Sequence, residues 1–107
     1  MTTGVIMGNV VGMSVVSVTL SPALVAANTT AEQTFTVPGV LASDKVLGIS
    51  KPTAQAGLGI VGWRVSAANT VAITFSNNTA AGITPTASQT YDIQLLRLES
   101  TQAGFNV

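Results

Sequence analysis

Between Val10 and Leu20 the chain reads VVGMSVVSVTL, an uncharged run in which valine and threonine dominate. Branching at Cβ leaves such side chains one comfortable χ1 in a helix, whereas a pleated strand accommodates them against their neighbours. The run belongs to a longer charge-free opening, because the first ionisable side chain in the sequence is Glu32. About 20 apolar residues are enough to cross a bilayer, and Gly4, Gly8 and Gly12 fall at the four-residue spacing that lets spanning helices pack closely. Ser14, Ser17 and Thr19 interrupt the run, Pro22 closes it, and no Lys or Arg flanks it, so neither a positive-inside signal nor a basic leader region is expected. The reading is an uncharged extended arm, residues 1–12, leading into a strand rather than a membrane span.

A chain of 107 residues fits one domain, residues 13–107, with a modest core. Only 7% of the residues are charged while 47% are hydrophobic, against about 25% charged in ordinary soluble domains. Four basic and four acidic side chains cancel, and a net charge of zero favours association. Four scattered basic residues make no stripe that could neutralise a phosphate backbone, so no nucleic-acid partner is expected. Cysteine and histidine are absent, which removes disulfides, thiolate chemistry and the commonest general base and metal ligand. No cofactor and no metal are expected.

Period-two patterning extends through most of what remains. Val71, Ile73 and Phe75 alternate with Ala72, Thr74 and Ser76, the signature of a half-buried strand. VGWRVSA, residues 61–67, reads as its hairpin partner across a turn at Ala68, Asn69 and Thr70. Thr34 to Val37, Lys45 to Ser50 and Tyr91 to Leu98 are further strands. NNTAAGITPTASQ and KPTAQAGLG are loops by their Gly, Pro, Asn and Ser content. Strands every 8–12 residues or so predict an all-β fold, an antiparallel β-sandwich of jelly-roll or Ig-like type with about seven or eight strands.

Chemistry has few candidates. Carboxylate catalysis needs two acids facing one bond, yet Glu32 and Asp44 fall in expected turns, and Asp92 and Glu99 face opposite ways along the final strand. Solvated turn and rim charges are the simpler reading, and an enzyme is not expected. Arg64 is expected to pair with Asp92 or Asp44. Gly57 to Gly62 fits G-x-G-x-x-G but opens no helix, so it reads as a bend with close backbone approach at Gly57 and Gly59. Asn28 sits in the acceptor pattern N-x-T and reads as a turn former.

Three phrases carry a resemblance. Pro22 to Gly39 reads PALVAANTTAEQTFTVPG, Ala56 to Phe75 reads AGLGIVGWRVSAANTVAITF, and Thr84 to Tyr91 reads TPTASQTY. Together they resemble a family of small virion proteins of tailed bacteriophages, over about three quarters of the chain. The resemblance implies a non-enzymatic structural component of the virion, a capsid decoration (cement) protein on the head surface. Its partners would be the major capsid protein and sister copies, with trimers on three-fold axes as the natural arrangement. No catalytic residues are carried over. The alternative is a head-fibre, tail-fibre or baseplate component that binds a host glycan through Trp63 or Tyr91. Residues expected to touch the capsid are Val5, Ile6, Met7, Val10 and Val11 of the arm. Trp63, Leu96 and Leu98 are expected at the subunit interface.

Overall fold

A computed structural model of the chain describes residues 10–99. Among them are six strands and no helix: β1 (Val10–Leu20), β2 (Thr29–Thr36), β3 (Lys45–Ser50), β4 (Leu58–Ala67), β5 (Thr70–Asn77) and β6 (Gln89–Leu98). They form two three-stranded antiparallel sheets, ordered β1-β6-β3 and β2-β5-β4. Each prolines' position explains a break: Pro22, Pro38, Pro52 and Pro85 each lie between two strands, where the missing N–H costs no ladder bond.

The fourth connection, between β4 and β5, is a tight turn. Asn69 there adopts φ +59°, a left-handed conformation that asparagine tolerates. Its side-chain oxygen accepts from Gly39 N–H at 2.8 Å, and its backbone bonds Val37 and Val40. The hairpin is thereby fastened to the chain that follows β2.

Six strands, not seven or eight, are present among the described residues. The shortfall has a local cause. The segments 21–28 and 78–88 meet through the isolated bridge Val25–Ile83, and Pro22 in the first and Gly82 and Pro85 in the second disfavour its extension into a ladder. The arm boundary also moves: β1 begins at Val10 and pairs with Leu98, so residues 10–12 belong to the sheet rather than to an arm.

Alternation places one set of side chains from every strand into a shared core. Val71, Ile73 and Phe75 of β5 meet Tyr91, Ile93 and Leu95 of β6, with Leu20, Val25, Val37 and Val40 closing the ends. Val16 and Val18, Phe35, Val46 and Ile49, and Leu58, Ile60 and Val65 line the margins. Both central strands thus carry the heart of the core, as expected where each is flanked on two sides.

Tyr91 is fully buried, and its hydroxyl has no hydrogen-bond partner among the described residues. Burial also pushes its phenol above the ordinary value of 10.0. An unmatched buried hydroxyl costs about 1–3 kcal/mol of desolvation. Tyr91→Phe is therefore expected to raise stability by about 1 kcal/mol, measured by urea denaturation; a loss of stability would show that the hydroxyl is satisfied.

Candidate docking face

The outer face of the first sheet is divided along its length. At one end of β1, Val11, Met13 and Val15 are 62%, 65% and 62% exposed. Met13 lies opposite Leu96, and Val10 opposite Leu98, so the leucines of β6 continue the apolar surface across the sheet. Toward the other end the same face turns polar: the Ser17 hydroxyl donates to Asp92 Oδ1 at 2.6 Å, and Thr19 meets Thr90. Among the described residues β1 is an edge strand, with one side of its backbone unpaired in the sheet.

Beneath the apolar end runs a groove of about 390 Å³ between β1 and the 38–40 turn, with Asp44, Leu95 and Arg97 in its lining. Asp44, expected in a solvated turn, is buried at 2% exposure. Arg97 is the reason: its Nε and a terminal nitrogen donate to the two Asp44 oxygens at 2.9 and 2.7 Å, and Gly39 C=O accepts from it at 2.9 Å. Leu41 N–H donates to the same carboxylate at 2.9 Å. The guanidinium bonds hold the Asp44 carboxyl below its ordinary value of 3.8, against the opposing effect of burial.

Arg64 pairs with neither expected acid. It forms a bidentate pair with Glu32 at 2.9 and 2.8 Å. Glu32 lies opposite Thr74 and Arg64 opposite Ala72, so the two reach diagonally across β5 on the outer face of the second sheet. Asp44 and Asp92 belong with the other sheet. Glu32 itself sits within β2 rather than in a turn, and the Arg64 bonds lower its pKa from the ordinary 4.5. Two acids tied to arginines in this way stay ionised near neutrality and make poor proton donors.

The expected interface residues are divided. Leu96 and Leu98 lie on β6 beside the apolar end of β1, whereas Trp63 lies on β4 in the other sheet, opposite Ile73 and 38% exposed. Val10 and Val11 belong to the apolar end, and Val5, Ile6 and Met7 lie outside the described residues. Tyr91 is buried, so it offers no surface to a glycan. Gly57 behaves as expected, with φ +81° and the Thr79 side chain where a Cβ would stand, whereas the space at Gly59 is open. Asn28 makes its turn through a left-handed backbone, φ +51°.

Met13 and Val15 are the residues that strand alternation alone would have marked: they share a face with Val11, and no charge interrupts them. The chain is thus a two-sheet antiparallel β protein whose most distinctive surface is an uncharged edge strand. No protein-family model matches it, and no curated protein and no solved structure matches it either.

Proposed function

We propose that this chain is a structural protein of a tailed-bacteriophage virion, a capsid decoration protein that adheres to the outside of the head and stabilises the shell. The observation that carries the reading is the uncharged edge strand β1 with Val11, Met13 and Val15 exposed beside Leu96 and Leu98. Interface cores are depleted of charge in this way. The low total charge suits a protein that works covered by neighbours, and two three-stranded sheets on one core support a β-sandwich. The work asked of it is adhesion rather than catalysis. Its partners are the major capsid protein and further copies of itself; many weak contacts in a symmetric lattice act together at high effective concentration.

The test uses shells assembled from the major capsid protein of the same virus. The full chain is expected to sediment with them, and a variant lacking residues 2–9, which leaves β1 whole, to remain in the supernatant. A full chain that stays in the supernatant overturns the proposal.

A further inference from the structure

Among the described residues the two sheets have four edges, and three of them are guarded against pairing with another strand. β3 is short, begins at Lys45, is bulged between Val46 and Gly48, and is followed by Lys51 and Pro52. β4 is bulged twice and carries Arg64. β2 carries Glu32, and Gln33 brackets the Ala23 backbone, donating to its C=O at 2.9 Å and accepting from its N–H at 2.8 Å. Charges, bulges and short lengths are the usual means by which sheet edges are kept from joining. β1 is different: eleven residues long and without a charge or a proline, it has one register shift at its very start, between Val10 and Gly12, and is regular from Gly12 to Leu20.

From this contrast we infer that β1 pairs antiparallel with β1 of a second copy of this chain, about a two-fold axis at Ser14, giving a dimer in place of the trimer expected from the sequence. Neutrality selects the occupant, because a strand bearing charges would gain no ion pair along Gly12 to Leu20 and would desolvate its own. An antiparallel edge is also its own complement, since the same unpaired N–H and C=O groups face each other after a two-fold rotation. With the axis at Ser14, Met13 of one copy stands opposite Val15 of the other, twice over, and Gly12 opposite Val16. Directly opposed residues lie close enough to shield one another from water, so the most exposed side chains of the strand cover each other. The pair closes on itself, leaving neither β1 edge open, and the two first sheets become one continuous six-stranded sheet.

This inference deepens the proposed function by naming the surface that joins copies, but it is tested without shells. The full chain at high micromolar concentration is expected to have the mass of a dimer by light scattering. A Met13→Lys, Val15→Lys double variant is expected to be a monomer with the same melting temperature at low concentration, since both side chains are exposed. The chain has no cysteine, so Ser14→Cys is a clean reporter: opposed Cα atoms fall within disulfide range, and mild oxidation is expected to link the copies. Thr36→Cys, on an exposed position of β2, is expected to stay unlinked. A monomeric wild type, as would follow if residues 1–9 or 100–107 of the same chain took the edge, overturns the inference. So does a trimer, or a dimer in which Ser14→Cys does not cross-link.

Discussion

Replacing Asn77 by alanine is expected to lower stability by about 3 kcal/mol, roughly 10–20 °C in melting temperature for a domain of this size. Asn77 is the last residue of β5 and is buried at 1% exposure. Its amide nitrogen donates to Val25 C=O at 3.0 Å and to Ala81 C=O at 2.8 Å. Its oxygen accepts from Thr79 N–H at 2.9 Å and from the Thr79 hydroxyl at 2.7 Å. One side chain therefore ties together the segment after β1, the end of β5 and the start of the long connection to β6. Alanine leaves those backbone groups with fewer partners in a place where water cannot replace them all. Asn77→Asp is expected to do still more damage, because a carboxylate oxygen would face two carbonyls. Chemical denaturation of both variants checks the order; an Asn77→Ala protein as stable as the parent would show that the connection is held by other means.

Asp44→Ala is expected to cost about 2 kcal/mol, through the stranded Leu41 N–H and the loss of two charge-assisted bonds. Arg97 is 42% exposed along its side chain, so its charge can turn to water, which keeps the loss below that of a wholly buried pair. The same residue gives stability a pH dependence. Because the folded state holds the Asp44 carboxyl below the 3.8 of an ordinary aspartate, its contribution is fully present above that value. As pH falls through the lowered folded value the unfolded chain binds the proton first and the contribution disappears. Below pH 4 or so, the parent is thus expected to lose stability more steeply than Asp44→Asn. Parallel slopes for the two proteins in acid denaturation would exclude this role.

Much of this fold can be read from residue order alone. Lys45 to Ser50 is a strand with the boundaries alternation predicts, and the turn at Ala68 and Asn69 joins the two strands expected of it. The buried row Tyr91, Ile93 and Leu95 follows from period two. What alternation misses is whatever depends on pairing across the chain. Asp44 reads as a turn acid because nothing in its neighbourhood announces Arg97, 53 residues away. Arg64 likewise finds Glu32 only because β5 lies between β4 and β2. The apolar end of the docking face was half legible: Val10, Val11, Leu96 and Leu98 stand out as hydrophobic, but that β1 and β6 are adjacent is a fact of topology. Trp63, conspicuous by type, belongs to another sheet.

The position of β6 at the centre of the first sheet has a consequence for how the protein is made. Both of its neighbours, β1 and β3, bond to a strand that leaves the ribosome after them, so this sheet cannot assemble until β6 has emerged. The second sheet needs nothing beyond Asn77 and includes the tightest hairpin, so it is free to form earlier. Until β6 emerges the greasy strand β1 waits without its mate, a period in which a nascent chain is most exposed to misassociation. Slow elongation would prolong that interval, and brisk delivery of β6 would shorten it.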